Sequence, residues 1–136
     1  MSLILWHAGL DVKLPEIDVQ HRHLIEIVNE LYDAAVSRKS REILAGILDR
    51  LICETVDHFA TEEEIMQEAV YPEFHLHQVE HNILKTKVLG FQRDFLADRV
   101  VLTPDVLQFV QNWLDDHITG ADRRLAEFLR TSGVRT

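Results

Sequence analysis

Apolar residues recur every three or four positions in four separate stretches of the chain. The first stretch follows Asp18, a residue type that often caps a helix N-terminus, and the second follows Ser40. On an α-helix this spacing places the apolar side chains on one face. The sequence therefore predicts helices at about 18–37 and 41–69. Their apolar stripes are Leu24, Val28, Leu31 and Ala35 in the first helix and Leu44, Leu48 and Leu51 in the second.

Prolines mark the starts of the two later helices. Pro72 cannot continue a helix but suits a first turn, and Thr103 followed by Pro104 is a strong start signal. The sequence therefore predicts helices at about 72–96 and 104–130. The connections near 38–41, 70–72 and 97–103 are short, so neighbouring helices should run antiparallel. We expect an all-α, up-down-up-down four-helix bundle that forms one domain over residues 1–136, with an N-terminal arm at 1–17.

Polar residues occupy several positions on the apolar stripes. In the second helix the stripe continues in phase from Leu51 through Thr55 to His58 and Glu62. In an antiparallel bundle, the starts of the first and third helices lie beside the ends of the second and fourth, so these positions can converge at one end. The polar stripe residues are His21, His58, Glu62, His77, His81 and His117.

The fourth helix contains one irregularity. Beyond His117 the inward-facing set reads Asp122, Leu125 and Leu129, which is one residue late. Residues five apart on a regular α-helix point about 140° apart, so Asp122 could not face the same place as His117. A single π-type turn corrects this offset, and such turns occur at functional sites. The sequence predicts one between 117 and 122, with Gly120 inside it.

Seven buried polar groups need a compensating partner. Each unsatisfied group would cost roughly 1–3 kcal/mol, and charged groups would cost more. Five imidazoles and two carboxylates without a thiolate suit iron, manganese or zinc. They are too many for one ion, but two ions could share Glu62 and Asp122 as bridges together with an oxo or hydroxo group. A lone histidine, by contrast, is usually structural, which is our interpretation of His7, His23 and His75.

Other classes of protein are disfavoured. The formal charge of −9 argues against nucleic acid and anionic membranes as partners. The first ten residues are too short to cross a membrane and lack a basic start, so a cytoplasmic protein is expected. No Glu-x-x-His pair of the ferritin-like type occurs, and neither does the His-Glu-x-x-His metalloprotease motif. The one cysteine, Cys53, is expected to be a buried, inert thiol.

These motifs resemble those of the hemerythrin family, in particular its single-domain bacterial members. The order His, His-x3-Glu, His-x3-His, His-x4-Asp is complete and spans about 100 residues. The segments that carry it are IDVQHRHL (17–24), HFATEEEIM (58–66), YP (71–72), HLHQVEH (75–81) and WLDDHITGAD (113–122).

The resemblance implies a non-haem di-iron centre that binds O2 reversibly for storage, delivery or sensing, rather than an enzyme. One iron would be held by His77, His81 and His117, and a second, five-coordinate iron by His21 and His58. Glu62 and Asp122 would bridge the two ions with an oxo or hydroxo group. Reduction of nitric oxide or peroxide at the open iron is the alternative, as is a redox or O2 sensor that acts through a separate partner protein.

Residues next to the ligands have further implied roles. Phe59, Trp113 and Ile118 are expected to line an apolar pocket for the small ligand. Animal oxygen carriers of this family are bulkier at the position of Gly120, so the pocket is expected to be more open here. The remaining acidic residues of the segment 57–81 are expected on a solvated face; they are Glu63, Glu64, Glu68, Glu73 and Glu80.

Overall fold

The expected all-α, antiparallel bundle is confirmed. A computed structural model of the protein describes residues 14–132, apart from the side chains of residues 104–106 and 132. The helices are α1 (Pro15–Val36), α2 (Arg41–Glu68), α3 (Phe74–Leu96), α4 (Pro104–His117) and α5 (Arg123–Ser132), and a π-helical turn, Ile118–Asp122, joins the last two into one rod. Helix α1 packs against α2 and α4, and α2 packs against α3.

Helix α1 begins earlier than the sequence suggested, whereas α2 begins where expected. The Ser40 hydroxyl caps α2 by accepting from the Ile43 N–H at 3.2 Å. Asp18 is not an N-cap, because its N–H already donates to the Leu14 carbonyl at 2.8 Å. The first helical residue is Pro15. The fixed φ of proline suits this position, and its lack of an N–H costs nothing there because a residue in the first turn has no intrahelical acceptor. Asp18 instead contributes negative charge near the positive end of the helix dipole.

Helix α3 begins at Phe74 rather than at Pro72. Pro72 and Glu73 lie in a turn, and the Phe74 N–H donates to the Tyr71 carbonyl at 3.2 Å. Pro72 therefore belongs to the end of α2, where a proline often follows the helix cap, and not to the first turn of α3.

Helices α1, α2 and α3 end in the same backbone conformation. In each, a residue in the left-handed region reverses the chain, and the next N–H donates to a carbonyl five residues earlier, as in a Schellman motif. Glycine usually takes this position, but other residues do so at these three helix ends. The three residues are Arg38 (φ 55°), Val70 (φ 53°) and Asp98 (φ 62°). These tight reversals keep the connections short and the helices antiparallel.

The core separates along the length of the bundle into an apolar part and a polar part. Leu31, Leu48 and Leu107 are almost fully buried away from the histidines, whereas the polar stripe positions cluster at the other end. Cys53 is exposed, so the expected buried thiol is wrong. It lies beside the stripe of α2 rather than on it, since Leu51 and Thr55 are the inward positions. Among the described helices, none is long and apolar enough to cross a membrane.

Candidate metal centre

All seven polar residues singled out from the sequence meet at one end of the bundle. They come from the start of α1, the end of α2, the start of α3, and the rod formed by α4 and the π turn. Each is buried, with at most 3% of its surface exposed. The seven are His21, His58, Glu62, His77, His81, His117 and Asp122. The antiparallel arrangement therefore brings together residues that are up to about 100 positions apart in sequence.

The π turn aligns His117 with Asp122 and confirms the irregularity expected from the sequence. It covers Ile118–Asp122 and continues directly into α5. Asp122 Oδ1 lies 3.0 Å from His117 Nε2, although the two residues are five positions apart. On an uninterrupted α-helix they would diverge by about 140°.

The two carboxylates divide the histidines into two groups. Candidate ligand atoms of each group lie within 4.8 Å of one another, and both groups contain Glu62 and Asp122. The first group adds His77, His81 and His117, and the second adds His21 and His58.

Each carboxylate presents one oxygen to each group. Glu62 Oε1 lies 2.9 Å from His81 Nε2, and its Oε2 lies 3.3 Å from His58 Nε2. Asp122 Oδ1 lies 2.9 Å from His77 Nε2, and its Oδ2 lies 2.9 Å from His21 Nε2. Two carboxylates oriented in this way can bridge a pair of metal ions.

The outer nitrogens of three histidines contact acceptors on neighbouring helices. His58 Nδ1 lies 2.6 Å from Gln20 Oε1. His81 Nδ1 lies 3.0 Å from Glu63 Oε2, and His117 Nδ1 lies 3.3 Å from Glu80 Oε1. A carboxylate or amide oxygen can only accept, so these Nδ1 atoms carry the proton. The Nε2 lone pairs are thereby directed toward the centre of the cluster, the tautomer that metal ligation requires.

The inner nitrogens and oxygens fit metal ions better than they fit one another. His81 Nε2 and His117 Nε2 both face the centre of the cluster and lie 3.1 Å apart, so a cation could bind to both rings. Seven further inner atoms are buried and form no hydrogen bond of normal geometry, although several lie 2.9 Å apart. They are His21 Nε2, His58 Nε2, His77 Nε2 and both carboxylate oxygens of Glu62 and of Asp122. Buried polar atoms are normally satisfied, so this concentration indicates a metal site.

The electrostatics show how the metal-free cluster is balanced. Burial disfavours the charged imidazolium of His21, but Asp122 and Glu62 outweigh it and raise the pKa of His21 to about 9. The same causes raise the pKa of His77 to about 9. Burial also opposes ionisation of Glu62, but the surrounding histidines, of which His58 has the largest effect, hold its pKa well below the usual range. Protons on the histidines thus compensate the carboxylates when no metal does.

Aromatic and aliphatic side chains enclose the cluster. Phe59 is 1% exposed and stacks on the His81 ring, with centroids 3.8 Å apart, and it lines a cavity of about 20 Å³ together with Leu114. Trp113 stacks on His117 at 4.6 Å, and Ile118 is fully buried.

The two other histidines that the structure describes do not join the cluster. His23 and His75 are exposed, and His23 Nδ1 lies 3.4 Å from Glu54 instead. His7 lies outside the described residues. Both residues lie off the apolar stripes and outside the cluster, but neither is buried, so neither has the expected structural role in the core.

Sequence reasoning missed the outer acceptors. Glu63 and Glu80 were expected on a solvated face, but both contact buried imidazoles on a neighbouring helix. Glu63 of α2 contacts His81 of α3, and Glu80 of α3 contacts His117 of α4. Gln20 lies off the apolar stripe of α1, so the periodicity gave no reason to select it. All three are adjacent in sequence to a cluster residue, and that adjacency was the available signal.

The fold and the site define an antiparallel four-helix bundle with a buried histidine and carboxylate centre suited to metal. The family model of the hemerythrin HHE cation binding domain matches residues 12–129. The chain therefore belongs to the hemerythrin family.

Individual relatives agree with this assignment. The chain is 32% identical to the bacteriohemerythrin of Stenotrophomonas maltophilia, over 93% of this chain and 82% of that protein. It is 34% identical to the bacteriohemerythrin of Methylococcus capsulatus, over 90% of this chain and 94% of that protein. A crystal structure of wild-type hemerythrin aligns with a TM-score of 0.89 at 32% identity, covering 94% of this chain and 98% of that chain.

Proposed function

We propose that the protein binds O2 reversibly at a non-haem di-iron centre. The observation that carries the proposal is the split orientation of Glu62 and Asp122, each of which directs one oxygen to the three-histidine group and the other to the two-histidine group. In this proposal His77, His81 and His117 hold one ion, and His21 and His58 hold the other. An oxo or hydroxo group completes the bridge.

The unequal histidine count gives the site its open position. Two shared carboxylates and one bridging oxygen would combine with three histidines to give six ligands to one ion, and with two histidines to give five to the other. When bound, the iron pair would supply the electrons that O2 takes up on binding and returns on release. The remaining requirement is exclusion of water, to which the buried Phe59 and Ile118 contribute.

The surrounding side chains favour binding over turnover. Phe59 and Trp113 stack directly on ligand imidazoles, which restricts ring motion and closes the site on that side. We propose that Phe59, Trp113 and Ile118 form the apolar surroundings of the bound gas.

A catalytic role is the second candidate, and the position of Gly120 favours it. A Cβ added there would meet only Arg124 Nη1, at 3.7 Å, so the turn between His117 and Asp122 has room for a larger side chain. Such space would admit other small molecules, including nitric oxide and peroxide. Repeated turnover of either substrate by the iron-loaded protein would support this role, whereas a stable, reversible O2 adduct supports the first.

The deciding experiment combines metal analysis with visible spectra of the reduced protein before and after O2. We expect about two iron ions per chain and a spectral change that reverses when O2 is removed. Asp122→Asn should reduce iron content and abolish the spectral change, because it removes charge from a bridging ligand. Asp116→Asn, an exposed position in α4, is the matched control and should behave as wild type. Fewer than about two ions, or no reversible change, would overturn the proposal.

A further inference from the structure

The outer contacts of the cluster are unequal in charge. In the three-histidine group, His81 donates to the Glu63 carboxylate at 3.0 Å and His117 donates to the Glu80 carboxylate at 3.3 Å. In the two-histidine group, His58 donates to the neutral amide oxygen of Gln20 at 2.6 Å. Two negative charges therefore lie behind one group, and a neutral acceptor lies behind the other.

Glu63 is the stronger of the two charged acceptors. Only 18% of its side chain is exposed, and Gln78 Nε2 holds its second oxygen at 3.2 Å. Glu80 is 41% exposed, and Arg124 Nη2 approaches its other oxygen at 4.0 Å. Solvent and the guanidinium both weaken the field of Glu80, so Glu63 should dominate.

A carboxylate behind a ligand imidazole makes the ring a better electron donor and favours the more highly charged metal ion. An amide acceptor fixes the same tautomer without adding charge. We propose that Glu63, Glu80 and Gln20 are positioning residues that make the two metal positions electronically unequal. The carboxylates stabilise the higher oxidation state at the three-histidine position, and Gln20 leaves the two-histidine position easier to reduce. This inference rests on the proposed function, because it concerns the same two ions.

The test compares substitutions that keep an oxygen acceptor but change its charge. Glu63→Gln and Glu80→Gln each remove one negative charge, and Gln20→Glu adds one. Glu64→Gln is the matched control, because Glu64 is the exposed neighbour of Glu63 and its substitution changes the net charge equally. The midpoint reduction potential of the iron-loaded protein is measured by spectroscopic titration with one-electron mediators.

We expect the potential to rise in Glu63→Gln, to rise less in Glu80→Gln, to fall in Gln20→Glu and to stay unchanged in Glu64→Gln. The affinity of the three-histidine position for Zn²⁺ should fall by about 10- to 100-fold in Glu63→Gln, which is the usual effect of removing such a partner. Equal shifts in Glu63→Gln and Glu64→Gln would overturn the proposal, since only net charge would then matter.

Nitrogen NMR of histidine-labelled, metal-free protein tests the hydrogen bond without any ion. The proton on His81 Nδ1 should exchange slowly with solvent in wild type and rapidly in Glu63→Ala, with partial recovery in Glu63→Gln. An unchanged exchange rate in Glu63→Ala would overturn the inference. A slow wild-type signal in a protein that binds fewer than about two irons would instead place the failure in the proposed di-iron function.

Discussion

Gly120 offers the most direct test of how the protein controls access to its centre. The residue lies in the π turn, is half-buried, and has a backbone that an ordinary residue can adopt. A Cβ there would meet only the flexible end of Arg124, at 3.7 Å. Gly120→Leu should therefore fit without displacing backbone and should add an apolar side chain to the turn that joins His117 to Asp122.

The size of the effect follows from two terms. A glycine inside a helix costs about 0.5–1 kcal/mol relative to a residue with a side chain, so the variant should be more stable by that amount and melt about 2–4 °C higher. A covering leucine must be displaced to admit water, which re-exposes a side chain whose burial stabilises by about 1.5 kcal/mol or more. That added barrier corresponds to about tenfold slower oxidation of the reduced, iron-loaded protein by O2.

The control is Gly46→Leu in α2. Gly46 is exposed, and a Cβ added there would meet no atom within 4 Å, so this substitution should raise the melting temperature similarly but leave oxidation unchanged. The assay follows loss of the reduced state in air by its visible spectrum, beside thermal unfolding. If Gly120→Leu is stabilised as expected but oxidises at the wild-type rate, the space at Gly120 does not control access.

Three shorter predictions concern the backbone, the cluster protons and the thiol. Val70→Gly should stabilise the fold by about 0.5–1 kcal/mol in thermal unfolding, because a β-branched residue at φ 53° is strained, whereas Val101→Gly, at an exposed loop position with no such strain, should destabilise it. Metal uptake near neutral pH should release protons from His117, whose pKa is raised by Asp122 and Glu62 against burial, and from His21 and His77. The release, measured with a pH indicator, should be smaller above pH 9, where His21 and His77 are already neutral. Their stabilisation of the metal-free fold is full below pH 6.5 and lost as the pH rises through about 9, so the melting temperature should fall across that window. Cys53 should react with a thiol reagent in the folded protein at a rate independent of metal loading, because it is exposed.

Apolar periodicity predicted the helices better than it predicted their ends. The stripe of α2 correctly predicted that Thr55, His58 and Glu62 are buried, because the same face of the helix points into the core at every turn. The ends depend on single residues instead. Helix α1 begins at Pro15, although Asp18 was predicted to cap it. Pro72 belongs to the turn after α2 rather than to the first turn of α3, because proline is common in both positions.

The convergence of the seven cluster residues was predictable for a different reason. A residue's position on the apolar stripe determines whether its side chain points into the core. The antiparallel order of the helices determines how far along the bundle axis it lies. Both follow from the sequence. The π turn followed as well, since Asp122 and Leu125 are out of phase with His117 by one residue. The contacts of Glu63 and Glu80 did not follow, because a residue at the edge of a stripe can face solvent or a neighbouring helix. Only the packing of α2, α3 and α4 decides between these two environments.

The core is apolar at one end of the bundle and polar at the other, and this separation explains how the fold tolerates a buried polar centre. Burying Glu62 and Asp122 next to apolar side chains would destabilise the protein if nothing neutralised them. The raised pKa values of His21 and His77 show that protons can take this role before metal is bound, while the leucine-rich end contributes the hydrophobic burial. Under the proposed function, metal uptake would exchange these protons for cations. The site can therefore place three histidines in one group and two in the other without any deformation of the bundle.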